Sequence, residues 1–154
     1  MRNILKNASH NHLSRTTLTL SISLLLIISG LTPAQSGTSS RPRRIQFIPG
    51  SVSTQVRGYI PKGQTETFFV LKAKAGDHMI VNIISTTRGF ETGGEVTAPS
   101  GAVEGRHGGI IFRGHLKETG DFKIRVAANL MAGERTNGSF ILEIVITTSF
   151  LKDG

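Results

Sequence analysis

Alternation of apolar and polar residues is the sequence feature that most constrains the fold of this chain. In residues 122–128 every second residue is apolar, and Lys123 and Arg125 stand between them. Side chains two residues apart lie on the same face of a strand, so this run predicts a half-buried β-strand. No segment after residue 34 shows the sustained 3.6-residue period of a helix. The sequence therefore predicts an all-β fold.

Similar short runs recur along the rest of the chain. Strands are predicted at residues 45–48, 52–58, 67–73, 79–83, 95–98, 110–116, 122–128 and 139–148. Residues 86–94 and 100–109 are rich in glycine and are predicted as loops. About seven to eight short strands with turns at fairly regular spacing predict a compact antiparallel β-sandwich.

Two pairs of these strands are predicted to form hairpins. Glu118-Thr119-Gly120-Asp121 supplies one turn, and Ala75-Gly76-Asp77-His78 supplies the other. Glycine permits the positive φ of tight turns, and aspartate bonds its own backbone. The second hairpin is apolar on both faces, which predicts either a covering chain element or an exposed patch for association. Its outward apolar positions are Phe68, Val70, Ile80 and Ile84.

The first 34 residues have the layout of a secretory signal peptide. Three basic residues lead an apolar run at 18–31, and Thr32-Pro33-Ala34 places small residues before a polar stretch. We predict cleavage after Ala34 or a few residues later, a periplasmic or extracellular location, and no stable membrane span after cleavage. The apolar run is shorter than the roughly 20 residues of a spanning helix, and an uncleaved signal anchor is the alternative.

Residues 35–44 are predicted to be a flexible basic linker, and residues 45–150 a β-sandwich domain. The linker is rich in Ser, Thr, Gly and Pro and carries Arg41, Arg43 and Arg44. The chain has no cysteine, which excludes disulfides and a lipid attached at the cleavage site.

The net charge of +8 is shared unevenly between the predicted leader and the rest of the chain. Three of the eighteen basic residues and none of the ten acidic residues lie in the leader, which leaves a net charge of +5. A nucleic-acid surface usually carries a basic stripe with interleaved aromatics, whereas these Lys and Arg residues are scattered. Nucleic acid is therefore not a predicted partner, and anionic envelope polymers suit the charge better. Solubility alone is the alternative explanation of the charge.

No signature of catalysis is present. The sequence has no cysteine nucleophile, no Gly-x-Ser-x-Gly elbow and no His-Glu-x-x-His motif. His78, His107 and His115 fall in separate predicted elements. Glu91, Glu95 and Glu104 lie in or near the central loops, without the closely spaced Asp and Asn of many calcium sites. We predict neither an enzyme nor a cofactor nor a metal site.

Four segments of the chain resemble a known family. They are Phe69-Val-Leu-Lys-Ala-Lys-Ala-Gly76, Ala98-Pro-Ser-Gly101, Thr119-Gly-Asp-Phe-Lys-Ile-Arg-Val126 and Phe140-Ile-Leu-Glu-Ile-Val-Ile146. In this order they resemble bacterial pre-peptidase C-terminal-like domains, and especially the small periplasmic inhibitors of g-type and i-type lysozymes. The resemblance covers about residues 45–148, and it implies a β-sandwich that binds protein.

The resemblance also implies candidate site residues. In these inhibitors a Ser-Gly-x-Tyr loop is implicated in docking onto the enzyme, and its matching positions here begin at Thr119 and end at Phe122. Thr119 keeps a hydroxyl, whereas Phe122 lacks the phenol and is predicted to face the core. The candidate partner-binding residues are Glu118, Thr119, Gly120 and Asp121 of the turn, with Arg106 and His107 of the glycine-rich segment. A purely structural turn is the alternative.

These observations predict an exported, non-catalytic protein-binding module whose most concrete form is a lysozyme-inhibitor-like protein. Its partner would be a lysozyme or another secreted protein. The alternative is an accessory module of the cell envelope that binds an anionic glycan or another secreted protein. That alternative is motivated by the basic residues 41–44 and by Arg88 and Arg106.

Overall fold

The computed structural model describes residues 37–132 and 134–148, and the predicted signal peptide lies outside this range. Among the described residues there are nine strands and no helix. The strands are β1 (Arg43–Arg44), β2 (Ser53–Ile60), β3 (Glu66–Ala73), β4 (His78–Ser85), β5 (Thr92–Thr97), β6 (Val103–His107), β7 (Gly109–His115), β8 (Gly120–Ala128) and β9 (Gly138–Thr147).

The strands form two sheets that pack as a sandwich. One sheet has the order β1-β3-β8-β5-β6, and the other has the order β2-β9-β4-β7. All neighbouring strands pair antiparallel except β1, which runs parallel to β3. The predicted all-β sandwich is confirmed.

Both predicted hairpins are wrong, although their strands exist. β7 pairs with β4 in one sheet, whereas β8 pairs with β3 and β5 in the other. The turn between β7 and β8 therefore crosses from sheet to sheet, as does the turn between β3 and β4. Alternation and turn residues have the same pattern at a hairpin and at such a corner, so the sequence does not distinguish them.

A strand stands where part of a glycine-rich loop was predicted. β6 is an edge strand whose five residues are all exposed. Because neither of its faces is buried, its sequence Val-Glu-Gly-Arg-His lacks the alternation that reveals a strand. Gly108 and Gly109, with φ of 55° and 61°, then form the tight turn into β7.

The N-terminal arm, residues 37–45, contacts the sandwich before the predicted domain boundary at Ile45. Thr67 is buried in β3, and its hydroxyl accepts a bond from Gly37 N at 2.9 Å and donates to Gly37 O at 3.1 Å. Strand pairing falls at Arg43–Arg44, whereas the strand was predicted at residues 45–48. Ile45 is nevertheless buried, and its N–H donates to Val70 O at 2.8 Å.

The outward apolar positions of β3 and β4 have mixed environments. Val70 is buried beside the arm, and Phe68 and Ile80 are half-buried. Ile84 is 40% exposed. Because β3 and β4 belong to different sheets, these positions lie on two different outer faces of the sandwich. The face of β3 is covered at Val70, and the face of β4 is open at Ile84. None of the described residues belongs to a helix long and apolar enough to cross a membrane.

The core is organised around phenylalanine rings that pack on glycine. Phe69 and Phe140 come from opposite sheets and meet edge to face, with ring centroids 6.1 Å apart. The Phe140 ring lies over Gly58 on the neighbouring strand, where an added Cβ would come within 2.2 Å of the ring. Both rings are almost fully buried. Such rings supply a large share of the burial that stabilises a sandwich.

Phe140→Ala should therefore lower the free energy of unfolding by about 3–5 kcal/mol, because it leaves a cavity between the sheets. The measurement is urea unfolding followed by circular dichroism. Ile48→Ala is the control, since Ile48 is 77% exposed and its truncation should change stability by less than about 0.5 kcal/mol. Equal effects of the two substitutions would contradict this description of the core.

Candidate functional site

The candidate residues Glu118, Thr119, Gly120 and Asp121 lie at a corner of the sandwich where the chain crosses between sheets. We call residues 116–121 the β7–β8 corner. Phe122 follows it and is buried in the core, which agrees with its predicted inward orientation. The exposed side chains of the corner are those of Lys117, Thr119 and Asp121.

Backbone hydrogen bonds join this corner to the other sheet crossing, residues 74–77, which we call the β3–β4 corner. Leu116 O accepts from Gly76 N, and Leu116 N donates to Asp77 O, both at 2.8 Å. The Thr119 hydroxyl accepts from Ala75 N at 2.9 Å. The two corners therefore hold each other, and Thr119 has a structural task as well as an exposed position.

Two of the three histidines outside the leader also meet beside these corners, although the sequence suggested no shared site. His78 and His115 are paired across β4 and β7, and their rings meet edge to face with centroids 5.1 Å apart. His115 Nδ1 lies 3.4 Å from Gly76 O. Within residues 37–132 and 134–148, no group of three or more His, Asp or Glu side chains could hold a metal ion.

Glu118 fastens the corner to the turn between β5 and β6. Its carboxylate accepts from Ser100 N at 2.8 Å and from the Ser100 hydroxyl at 2.5 Å. Gly120 lies against the same turn, where an added Cβ would be 2.8 Å from Cγ of Pro99. Gly120 also has the positive φ that the sequence predicted, at 156°. The glycine is thus needed both for its backbone conformation and for close approach to proline, and the sequence indicated only the first of these. Sequence reasoning missed Ser100 and Pro99 as members of the site.

Asp121 fastens the corner to the N-terminal arm. Two guanidinium nitrogens of Arg44 donate to its carboxylate, at 3.1 Å and 2.7 Å. These hydrogen bonds, together with the nearby positive charge, hold the pKa of Asp121 below its ordinary value and raise the pKa of Arg44. Both side chains are about half exposed, so the pair is screened by solvent.

Arg106 and His107 lie elsewhere. They are at the end of β6 that pairs with Gly94 and Gly93, whereas the opposite end of β6 leads to Ser100 and the β7–β8 corner. The structure therefore brings four of the six candidate residues together and leaves these two at the far end of an edge strand.

A small cavity lies beneath the β7–β8 corner, between the two sheets. Its volume is about 100 Å³, and Glu104, His115 and Lys117 are exposed residues of its lining. The apolar part of the lining comprises Val96, Ala98, Ala102, Phe112, Leu116 and Phe122. The cavity is thus small, with mostly apolar side chains and a few exposed polar residues in its lining.

Neither a family model nor a curated protein matches this sequence. Solved structures do match the fold. Aeromonas hydrophila PliG, a periplasmic inhibitor of g-type lysozyme, aligns with a TM-score of 0.54 and 24% identity over 69% of this chain and 96% of its own. Salmonella Typhimurium PliG, also a periplasmic inhibitor of g-type lysozyme, aligns with a TM-score of 0.53 and 17% identity over 68% of this chain and 96% of its own.

A third structure broadens the comparison. The pre-peptidase C-terminal domain of a Bacillus anthracis collagenase aligns with a TM-score of 0.51 and 14% identity, over 68% of this chain and 94% of that domain. The likeness to both groups confirms the fold-level resemblance inferred from the four sequence segments. At these identities the likeness establishes the fold.

The Arg44–Asp121 pair should make stability depend on pH at the acid end. A carboxylate with a lowered folded pKa stabilises the protein above its unfolded pKa, and this contribution is lost as the pH falls through the folded pKa. Asp121→Asn should therefore be less stable than wild type at pH 7, and the difference should shrink towards pH 2. Urea unfolding from pH 7 to pH 2 measures it.

Arg44→Gln provides the matched control for this titration. Arg44→Gln should reduce the dependence of the free energy of unfolding on pH in the same acid range. Asp121→Asn added to Arg44→Gln should have little further effect, because the two residues act as a pair. Additive effects of the two substitutions would contradict the pairing.

Proposed function

We propose that this chain is an exported inhibitor of a g-type lysozyme and that it contacts the enzyme through the β7–β8 corner. The observation that carries the proposal is the way the corner is held. Ser100 donates to Glu118, Ala75 donates to Thr119, and Arg44 donates to Asp121. A loop fixed from three sides loses little conformational entropy on binding.

The fold comparisons support the proposal without carrying the function by themselves. The two PliG structures are inhibitors of g-type lysozyme, and this chain covers 96% of each of them. The positions that match the docking loop of the resembling inhibitors are Thr119 to Phe122, and the first three of these lie in the exposed corner. The buried Phe122 would support the loop from below.

Electrostatics favour docking by shape and hydrogen bonding over long-range attraction. The chain after the predicted leader is cationic, and many lysozymes are cationic too, so their net charges provide no steering. Within the corner the Asp121 charge is already paired, and Glu118 accepts two hydrogen bonds from Ser100. Lys117 is exposed and makes no ion pair among the described residues.

The basic arm gives less support to a glycan-binding role than its sequence suggested. Arg43 donates to the backbone oxygen of Arg57 at 3.1 Å, and Arg44 pairs with Asp121. Two of the three arginines in the arm therefore have intramolecular tasks. A protein partner for the corner is the proposal that the contacts favour.

The purified processed protein should inhibit a g-type lysozyme at micromolar concentration and should inhibit c-type lysozyme much less. Lysis of cell-wall suspensions, measured by turbidity, provides the test. The protein is purified from the periplasm of an expression host, and mass spectrometry of its N-terminus also tests the predicted cleavage near Ala34. Absence of inhibition across g-type, i-type and c-type enzymes would contradict the proposal.

Thr119→Arg should weaken inhibition at least about tenfold, because it places a long cationic side chain at the exposed apex of the corner. Thr119→Ala removes the bond to Ala75 without adding bulk and separates loss of support from a steric block. Lys62→Glu is the distal control, since Lys62 is exposed in the β2–β3 turn, at the opposite end of β3 from the corner. Equal inhibition by all three variants would exclude the corner as the contact.

A further inference from the structure

β6 is an unpaired edge of the five-stranded sheet. β5 pairs with one side of it, and no strand among the described residues pairs with the other. All five of its residues are exposed. An edge of this kind presents unpaired N–H and C=O groups to any other strand that approaches.

The hydrogen bonds at the two ends of the β5–β6 pair reveal which backbone groups face outward. Gly108 N donates to Thr92 O at 3.0 Å, and Ala98 N donates to Ala102 O at 2.8 Å. The register between these bonds has no bulge. In an antiparallel strand every second residue bonds to a given neighbour. Because Ala102 and Gly108 bond to β5, the backbone groups of Glu104 and Arg106 between them bond to β5 as well. The N–H and C=O groups of Val103, Gly105 and His107 therefore point away from the sheet.

The side chains of β6 carry opposite charges on either side of a central glycine. Glu104 and Arg106 flank Gly105, and both line an open groove of about 610 Å³ between β6 and β7. Neither side chain makes an ion pair or a hydrogen bond with any described residue. The sequence Val-Glu-Gly-Arg-His is thus complementary in charge to itself when it is read in the opposite direction.

We propose that β6 pairs antiparallel with β6 of a second copy of this chain, about a twofold axis at Gly105. This register bonds all the outward backbone groups, because Gly105 meets Gly105 and Val103 meets His107 of the partner copy. Glu104 then faces Arg106 of the partner copy twice, at positions without backbone bonds, where Cα atoms approach to about 4.5 Å. Opposite charges directly across such a pair are stabilising.

The charges also select this register over its neighbours. A shift of two residues in either direction places Glu104 opposite Glu104, or Arg106 opposite Arg106, and like charges there are destabilising. A shift of one residue places the outward backbone groups of one copy opposite residues of the other copy whose own groups point inward, so the hydrogen bonds cannot form. The absence of a side chain at Gly105 keeps the centre of the pair clear. Charge complementarity thus favours a second copy over an unrelated extended peptide.

Reversal of charge tests the proposal by sedimentation velocity over about 1 μM to 1 mM of the processed protein. Wild type should form a concentration-dependent dimer, and Glu104→Arg or Arg106→Glu should each raise its dissociation constant at least about tenfold. The double substitution Glu104→Arg/Arg106→Glu should restore dimerisation, as should an equimolar mixture of the two single variants. Lys62→Glu is the control for a change of charge elsewhere.

Three results would overturn the proposal. They are a wild type that stays monomeric throughout this range, a dimer unaffected by Glu104→Arg, and single variants that fail to associate when mixed. Capture of a foreign extended peptide by β6 with no dimer would assign the edge to another protein. Since the pairing uses no residue of the β7–β8 corner, lysozyme inhibition and dimerisation can fail independently.

Disulfide trapping tests the register directly, because the chain has no cysteine of its own. In the double variant Val103→Cys/His107→Cys, the cysteine at position 103 of one copy should face the cysteine at position 107 of the other. Their Cα atoms should lie about 5.5 Å apart, which is within disulfide range. Oxidation should yield covalent dimers. Val103→Cys alone is the matched control, since its two copies lie at opposite ends of the pair. Equal cross-linking of both variants, or none in the double variant, would contradict this register.

Discussion

The hydrogen bonds between the two sheet-crossing corners are the contact on which the rest of this structure depends. A sandwich made of two sheets needs connections that turn away from their own sheet, and each such turn exposes backbone groups that no ladder satisfies. Here the β3–β4 and β7–β8 corners satisfy each other through Gly76, Leu116 and Asp77. The same bonds position the residues proposed to contact a partner, so fold and candidate site share one support.

The strands themselves could be predicted from the sequence because most of them bury one face. Phe122 and Ile124 alternate with Lys123 and Arg125, and the first two lie in the core. β6 escaped prediction because it buries no face. The assignment of strands to sheets could not be predicted either. Alternation with a two-residue period indicates which residues face inward, but it does not indicate which strand is the neighbour. The sequence therefore predicts hairpins at the two positions where the structure has corners.

The candidate site shows a similar division between local and distant causes. The exposed corner around Thr119 could be found from turn chemistry and family resemblance. Its supports could not, because Ser100 and Arg44 are separated from Glu118 and Asp121 by 18 and 77 residues. Gly120 illustrates the difference: its positive φ of 156° could be expected from turn chemistry, but the Pro99 ring that occupies the space of a Cβ could not. The second requirement comes from a tertiary neighbour that the local sequence does not reveal.

The Arg44–Asp121 pair has a consequence for the order in which the molecule completes itself. Arg44 is synthesised early, but its partner follows 77 residues later, and β1 must also wait for β3. Contacts between residues so far apart in sequence carry a high entropic cost of loop closure. The Arg44–Asp121 pair can therefore form only after β8 has been synthesised, and until then the arm and the β7–β8 corner lack this mutual support. A nascent chain interrupted before β8 would carry the arginine without its carboxylate.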